Sequence, residues 1–317
     1  MDGQMKILSL CSGYGGLDMA VEQHFSAKTA YWSDVDKTAC AVMAARFPDA
    51  QPIGDLTTLD LTMIHADVLT AGYPCQPYSL AGNRLGELDA ERHLWPYIRN
   101  TVSVLRPRYV VLENVAAHLS LGSASVVGDL AALGYDAQWT VIRASDVGAP
   151  HQRKRWFCVA TDADSAGGEA WGEAGQDSQR LWPQSMGHSP FATDADKQGS
   201  CFKWQEQTTP EQADPLIRGI ATDTDSEGLE GSEPTERHDL FTWGSYEPSI
   251  RRWERVLGRP APAPVVDNRL SAVFVEWMMG LEKGHVTDIA ASRAKALACL
   301  GNGVVPQQAK RALELLT

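Results

Sequence analysis

The chain has 317 residues, 44% of them hydrophobic, which is enough for one large domain and a smaller one with a sizeable core. No run of 18 or more apolar residues occurs, and the first ten residues lack the basic start and apolar stretch of a secretion signal. The sequence therefore predicts a cytoplasmic protein without a membrane span. Six scattered cysteines, with no Cys-x-x-Cys pair, argue against a zinc site or a disulfide framework, and no metal is expected.

The net charge of −12 is unfavourable for a nucleic-acid binder, but the charge is unevenly distributed. Residues 161–264 contain 19 acidic and 9 basic side chains, whereas the rest of the chain contains 21 and 19. Because the rest of the chain is nearly neutral, a locally basic cleft is compatible with the acidic total.

The first 160 residues alternate short apolar runs with helical patterns. A helix is predicted over residues 17–22, and strands are predicted over residues 6–10, 30–33, 67–71, 109–112 and 156–160. This alternation predicts an α/β fold with a mostly parallel sheet and helices on both faces. In such sheets ligands bind beyond the carboxyl ends of the strands.

Residues 161–264 differ in character. They are rich in Gly, Ser, Thr, Asp, Glu and Pro, and a loose Ala-Thr-Asp repeat begins at residues 160, 192 and 221. We predict a small, loop-rich domain here, followed by a stiff Pro-rich hinge over residues 259–264. Helical patterns return at residues 270–281 and 309–316. The predicted division is therefore residues 1–160 with 265–317 as one domain and residues 161–264 as the other.

A glycine turn, Ser12-Gly-Tyr-Gly-Gly16, separates the first strand from the first helix. Such a turn offers backbone N–H groups near a helix N-terminus, which favours a nucleotide-like cofactor. Asp34 follows at the end of the next strand, where an acidic residue can bind ribose hydroxyls. The full GxGxxG spacing is missing, so a dinucleotide is not favoured. The alternative is a tight turn that needs glycine for backbone reasons alone.

Cys75 lies in the segment Gly72-Tyr-Pro-Cys-Gln-Pro-Tyr-Ser79, directly after a predicted strand. Pro74 and Pro77 restrict the backbone, so the segment is predicted to be a rigid turn that presents a side chain. Buried packing is the commoner role of a cysteine, but this position and context favour a nucleophile. Its thiol then needs a lowered pKa or a neighbouring base.

Two further polar groups follow along the chain. Glu113 comes directly after the apolar run 109–112, where partial burial would raise its pKa and let it donate a proton. Arg153 and Arg155 precede the strand 156–160 and share a face if that strand extends back; their planar guanidinium groups suit carboxylates, phosphates and base edges. The alternatives are a loop or helix-capping carboxylate and a solvated basic surface.

Taken together and in order, five motifs resemble the cytosine-C5 DNA methyltransferase family, most closely its short bacterial and bacteriophage members. They are Leu10-Cys-Ser-Gly-Tyr-Gly-Gly-Leu17, Pro74-Cys-Gln76, Glu113-Asn-Val115, the paired arginines, and Gly301-Asn-Gly-Val-Val-Pro306. The resemblance covers residues 5–160 and 265–317, and it implies a Rossmann-like S-adenosylmethionine-dependent methyltransferase sheet. Residues 161–264 stand where this family places its variable target-recognition domain.

The resemblance implies roles for individual residues. The Cys75 thiolate would add to C6 of a cytosine flipped out of the duplex, while Glu113 would hydrogen-bond N3 and the exocyclic amine. Arg155, with Arg153 nearby, would hold O2. Contacts with the DNA are implied for Gln76, Ser79 and Arg84.

The implied cofactor is S-adenosyl-L-methionine. The implied cofactor-binding residues are Cys11, Ser12, Gly13, Tyr14, Gly15, Gly16, Asp34, Val35, Asp55, Leu56, Asn302 and Val304. The chain departs from the family pattern at three of them: Cys11 replaces a frequent Phe, and Asp34 with Val35 replaces the usual Glu and its often bulky neighbour.

The implied partner is double-stranded DNA, bound by a monomer, with a cognate restriction endonuclease as a second possible partner. Three alternatives stay open: an RNA cytosine-C5 methyltransferase, a non-catalytic DNA-binding relative, and a nicotinamide oxidoreductase. The variable segment favours DNA over RNA, the intact motif set argues against a non-catalytic relative, and the incomplete glycine pattern argues against an oxidoreductase.

Overall fold

The computed structural model describes residues 4–74, 94–164 and 243–317. The predictions made for Cys75, Gln76, Ser79 and Arg84 lie outside the described residues, as does most of the segment 161–264.

Seven strands form one twisted sheet. They are β1 Lys6–Leu10, β2 Lys28–Ser33, β3 Gln51–Pro52, β4 Val68–Gly72, β5 Tyr109–Val115, β6 Tyr135–Ile142 and β7 Arg155–Asp162. Their order across the sheet is β3-β2-β1-β4-β5-β7-β6. The first five are parallel, and β7 runs antiparallel to both β5 and β6. The predicted α/β class and mostly parallel sheet are confirmed.

Nine α-helices are described, together with a short hairpin of β8 Val265–Val266 and β9 Arg269–Leu270. The helices of the described ranges are α1 Gly16–Phe25, α2 Lys37–Arg46, α3 Trp95–Leu105, α4 His118–Leu121, α5 Ser123–Ala132, α6 Glu247–Leu257, α7 Ala272–Met278, α8 Arg293–Asn302 and α9 Pro306–Leu316. Among these described helices none is long and apolar enough to cross a membrane.

Helices cover both faces of the sheet. Side chains of α1 and α9, such as Val21 and Leu313, form one core with strand residues including Ile7. Side chains of α3 and α5, such as Ile98 and Leu130, form a second core on the other face. Because both faces are covered, the central strands can be continuous apolar runs, as sequence reasoning assumed.

The segment around α6 packs into the core that also contains the glycine turn. Trp253 and Ile250 of α6 are fully buried in one cluster with Tyr14 and Val305. The predicted domain boundary at residue 264 stays a prediction. Within the described residues, however, the last part of the predicted loop-rich domain shares its core with the sheet domain.

Candidate active site

The carboxyl ends of β4 and β5 meet the amino end of β7 at one edge of the sheet. Gly72 is paired with Glu113, and Arg155 is paired with Val115. Glu113 therefore lies inside β5, which runs to Val115, and the expectation that it follows the strand was wrong. Because β7 is antiparallel, its first residue, Arg155, lies at the edge where the parallel strands end.

Glu113 and Arg155 form a buried ion pair at this edge. Arg155 Nε lies 2.8 Å from Glu113 Oε1, and the two side chains are 17% and 8% exposed. Glu113 Oε1 is therefore in ionic contact with Arg155 but has no geometrically acceptable hydrogen-bond donor among the described residues. Burial raises the pKa of Glu113, and the two arginines only partly offset this. The carboxyl is therefore poised to hold a proton and to hydrogen-bond a ligand.

Arg153 has a different position from Arg155. Strand β7 begins at Arg155, so the predicted alternation does not reach Arg153, whose φ of +26° lies in the left-handed region. Its Nη2 donates to the carbonyl oxygens of Gly301, at 3.0 Å, and Gly303. Arg153 thus fastens the C-terminal end of α8 and the following Gly303 to this edge, and its role toward a base stays a prediction.

Gln308 at the start of α9 supports the same edge and was missed by sequence reasoning. Its Nε2 donates to the carbonyl oxygens of Ile142, at 2.7 Å, and Arg153, at 2.8 Å. It is fully buried. A glutamine in an amphipathic helix carries no local signal of such a contact.

The chain just before Cys75 is held at two points. Asn114 Nδ2 donates to the Tyr73 carbonyl oxygen at 3.1 Å, and the Tyr73 hydroxyl lies 3.0 Å from His118 Nε2. Burial lowers the pKa of His118 to about 4, so its ring is neutral near pH 7. In the sequence, Asn114 was marked by its place beside Glu113, whereas no sequence pattern indicated a role for His118.

The glycine turn follows β1 as predicted and is tied to β2 by Asp34. Asp34 Oδ2 accepts a hydrogen bond from Gly13 N, and Oδ1 accepts one from Asp36 N, both at 2.8 Å. Burial raises the pKa of Asp34. Gly13 has a φ of +57°, and a Cβ added there would meet nothing within 4 Å, so this side of the turn is open.

Tyr14 is buried, so its side chain does not line open space. Its hydroxyl donates to the Val304 carbonyl oxygen at 2.6 Å, and its ring occupies the space that a Cβ on Gly303 would need. A Cβ on Gly16 would overlap the Val304 carbonyl oxygen. The glycine turn and the C-terminal segment are thus packed directly together, and Gly15 similarly makes room for the ring of Phe47.

The remaining predicted cofactor residues surround the open side of the turn. Burial, followed by the negative charges of Asp34 and Asp55, raises the pKa of the Cys11 thiol to about 12. Ser12 Oγ donates to the Ser33 carbonyl oxygen at 3.2 Å. The other predicted cofactor residues differ in exposure: Leu56 and Val304 are buried, Val35 is 74% exposed and Asn302 is exposed.

These features fit S-adenosylmethionine. Carboxylates beside an open glycine turn suit ribose hydroxyls and a positive sulfonium group. The glycine turn and the Glu113–Arg155 pair are close together at Gly72. A Cβ added to Gly72 would lie 3.5 Å from Glu113 Oε2 and 3.8 Å from the carbonyl oxygen of Cys11, the residue just before the turn. The described ranges contain no group of three His, Cys, Asp or Glu side chains that could hold a metal ion.

Comparison with known proteins agrees with this geometry. The sequence model of the C-5 cytosine-specific DNA methylase family matches residues 5–238. The Type II methyltransferase M.NlaIV of Neisseria lactamica is 32% identical over 175 residues, which are 50% of this chain and 41% of that protein. M.HaeII of Haemophilus aegyptius is 32% identical over 161 residues, 49% of this chain and 50% of that protein. The chain thus spans half or less of the length of these relatives.

Two solved structures are similar in fold to this chain. The S. pombe Dnmt2 methyltransferase superposes with a TM-score of 0.58 at 17% identity, covering 98% of both chains. The Entamoeba histolytica methyltransferase EhMeth superposes with a TM-score of 0.55 at 15% identity, covering 99% of this chain and 97% of that one. From the family match, the chain belongs to the C-5 cytosine-specific DNA methylases.

Proposed function

We propose that this chain transfers a methyl group from S-adenosylmethionine to C5 of a cytosine flipped out of double-stranded DNA at a specific sequence. The observation that carries the proposal is the buried Glu113–Arg155 pair, with an unfilled carboxylate oxygen, beside the open glycine turn. A base must leave the duplex to reach such an edge, and unstacking it costs a few kcal/mol.

Glu113 holds and donates a proton in this proposal. Cytosine C6 becomes electrophilic when N3 is protonated, and burial raises the pKa of Glu113, which favours the protonated carboxyl that donates to N3. Its unfilled Oε1 accepts a hydrogen bond from the exocyclic amine. One carboxyl group therefore recognises cytosine and activates it.

Arg155 stabilises the negative charge that develops on the ring. Its guanidinium is already within 2.8 Å of Glu113, so it needs no large movement to reach O2 of a base bound by that carboxyl. Arg153, committed to the Gly301 and Gly303 carbonyl oxygens, acts mainly by fixing the edge. We therefore assign O2 to Arg155 rather than to Arg153.

Cys75 is the proposed nucleophile. It follows the held Tyr73 by two residues, and its thiolate adds to C6 and forms a covalent bond. C5 then becomes an enamine carbon able to accept the methyl group, which would leave S-adenosylhomocysteine behind. A base removes the C5 proton, the C5–C6 double bond re-forms, and the C6–S bond breaks to release the Cys75 thiolate.

The cofactor supplies an electrophilic methyl group on a positive sulfonium. Asp34 would hold the ribose, Asp55 and Leu56 would meet the adenine, and the backbone from Ser12 to Gly16 would hold the methionine part. Val35 and Asn302 would contact the cofactor from the two sides of the glycine turn.

The DNA partner rests on the family and on relatives named Type II methyltransferases. We propose that residues 161–264 contain the target-recognition domain and that Gln76, Ser79 and Arg84 contact the DNA. A monomer, with a restriction endonuclease of the same specificity as its functional partner, completes the proposal.

Bisulfite sequencing of DNA from cells that lack cytosine methylation and express this chain tests the proposal. We expect protected cytosines at one recurring sequence, and none when the expressed chain carries Cys75→Ser. Purified chain that methylates RNA but not duplex DNA would overturn the proposed substrate.

A further inference from the structure

A histidine outside the predicted site holds the glycine turn. His285 lies in the loop between α7 and α8, and its Nε2 is 2.9 Å from the Tyr14 carbonyl oxygen. A carbonyl oxygen can only accept, so Nε2 carries the proton and donates. His285 is 7% exposed, so solvent does not compete strongly for this hydrogen bond.

The loop that carries His285 is fixed by a buried carboxylate. Glu276 of α7 is 1% exposed and accepts four hydrogen bonds from the loop. Its Oε1 accepts from Val286 N at 2.6 Å and Thr287 N at 2.9 Å. Its Oε2 accepts from Gly284 N at 2.8 Å and Thr287 Oγ1 at 2.9 Å. These four hydrogen bonds hold the backbone around His285 in one conformation.

The same loop is also fastened to α2. Arg46 Nε donates to the His285 carbonyl oxygen at 3.0 Å, and Nη2 donates to the Gly284 carbonyl oxygen. Burial, followed by the nearby Arg46 charge, lowers the pKa of His285, although the hydrogen bond to Tyr14 opposes this. The ring is therefore a neutral donor with a fixed position.

Tyr14 is consequently held at both ends. Its carbonyl accepts from His285, and its hydroxyl donates to the Val304 carbonyl oxygen at 2.6 Å. The Tyr14 carbonyl belongs to the same peptide unit as Gly15 N, which donates to the Ser12 carbonyl oxygen at 2.9 Å. His285 thus fixes the orientation of a peptide unit within the turn.

We infer that His285 is a positioning residue for the cofactor: by holding the Tyr14–Gly15 peptide, it keeps the glycine turn in the conformation that would hold the methionine part of S-adenosylmethionine. The inference rests on the proposed use of S-adenosylmethionine. It predicts that cofactor affinity depends on a side chain that does not touch the cofactor.

Isothermal titration of the full chain with S-adenosylmethionine and S-adenosylhomocysteine tests this. His285→Leu removes the donor and should raise both Kd values about tenfold, since one hydrogen bond corresponds to roughly that factor. His285→Gln keeps an N–H donor on a side chain of similar reach and should stay within about threefold of the unmodified chain. The matched control is His24→Leu, because His24 bonds Thr317 Oγ1 at the far end of α1.

Thermal unfolding without cofactor separates positioning from simple destabilisation. A lower melting temperature with unchanged Kd values in His285→Leu would overturn the inference, as would equal Kd values for the Leu and Gln variants. If the Leu variant does not fold, His285→Asn, whose amide is too short to reach Tyr14, must show the raised Kd. An unmodified chain that binds neither ligand would instead refute the proposed cofactor and, with it, this inference.

Discussion

Two buried arginine–carboxylate pairs stand at opposite edges of the same three strands, β5, β7 and β6. At the site edge, Arg155 meets Glu113 at 2.8 Å without a hydrogen bond to Oε1. At the other edge, Arg106 Nη2 donates to Asp162 Oδ1 at 2.6 Å. Both carboxylates are buried and both partners are arginines. The two pairs differ in what else their atoms bind.

The Arg106–Asp162 pair is complete within the fold. Arg106 also donates to the Leu133 carbonyl oxygen, and its guanidinium lies 4.8 Å from the centre of the Tyr135 ring. Asp162 Oδ1 additionally accepts from Asp164 N at 3.3 Å. In the Glu113–Arg155 pair, Glu113 Oε1 is buried without a hydrogen-bond partner among the described residues, and burial raises the pKa of this carboxyl although Arg155 opposes the shift. A satisfied pair supports the fold, whereas an unsatisfied one is available to a ligand.

The largest expected effect is on catalysis at the site edge. Glu113→Gln keeps the shape of the side chain but cannot donate a proton to N3, so kcat should fall about 10³-fold. Folding stability should not fall at neutral pH, because the raised pKa means that ionised Glu113 is disfavoured in the fold, a cost that appears as pH rises. Single-turnover methyl transfer and urea unfolding measure the two quantities. A Gln variant within tenfold of the original rate would contradict the assigned role.

The opposite result is expected at the other edge. Asp162→Ala leaves Arg106 without its carboxylate and should cost about 3 kcal/mol of unfolding free energy, at the low end for buried pairs because Arg106 is 35% exposed. The kcat of the folded fraction should not change. Glu314→Ala, which breaks the exposed Arg311–Glu314 pair, should cost under about 1 kcal/mol. A large loss of kcat in Asp162→Ala would contradict the assignment of the Arg106–Asp162 pair to stability alone.

A third buried carboxyl, Asp18, should give the molecule a pH-dependent stability. Asp18 accepts from Ser9 Oγ at 2.8 Å and Thr70 Oγ1 at 2.5 Å, and burial raises its pKa to about 6. Because the folded pKa exceeds the unfolded value of 3.8, the stability that it contributes is present at low pH and lost as pH rises through about 6. Asp18→Asn stays neutral, so its stability relative to the original should rise by about 2 kcal/mol between pH 4.5 and 7.5. Unfolding free energies from urea titrations that change with pH in the same way in both chains would contradict the raised pKa of Asp18.

The smallest effects are expected from removing one tyrosine hydroxyl at each of the two edges. Tyr73→Phe removes the contact with His118, and Tyr135→Phe removes a 2.7 Å hydrogen bond to the Pro107 carbonyl oxygen. Each should cost about 1 kcal/mol of stability. Only Tyr73→Phe should also lower kcat, about tenfold, because Tyr73 precedes Cys75 by two residues. Equal kcat values for the two variants would show that the contact does not serve the reaction.

The sequence was sufficient for four of the five parallel strands, while the two-residue strand β3 was not predicted. Strand β1 was predicted with its observed limits, since its apolar run ends at a glycine turn. The strand β6 was not predicted, because its exposed positions, including Trp139, interrupt any simple alternation. Asp162 was assigned to the acidic loop-rich segment, yet it ends β7 and pairs with Arg106. Composition averaged over a window cannot separate the last residue of a strand from the loop after it.

The candidate site was only partly predictable. Glu113, Arg155 and the glycine turn were identified by motif, but the meeting of Arg155 with Glu113 depends on β7 being antiparallel. Strand direction is set by the whole sheet and leaves no local pattern. The same holds for Gln308 and His285, whose partners are more than 100 residues away in sequence.

Covalent trapping with a fluorinated base reports on the proposed nucleophile itself. The purified chain is incubated with S-adenosylmethionine and a duplex that carries 5-fluorocytosine at the methylated position, and the protein–DNA product is digested and analysed by mass spectrometry. We expect one cofactor-dependent adduct on Cys75, strongly reduced in Glu113→Gln. An adduct on another cysteine, or none on a chain that methylates ordinary duplex, would contradict it.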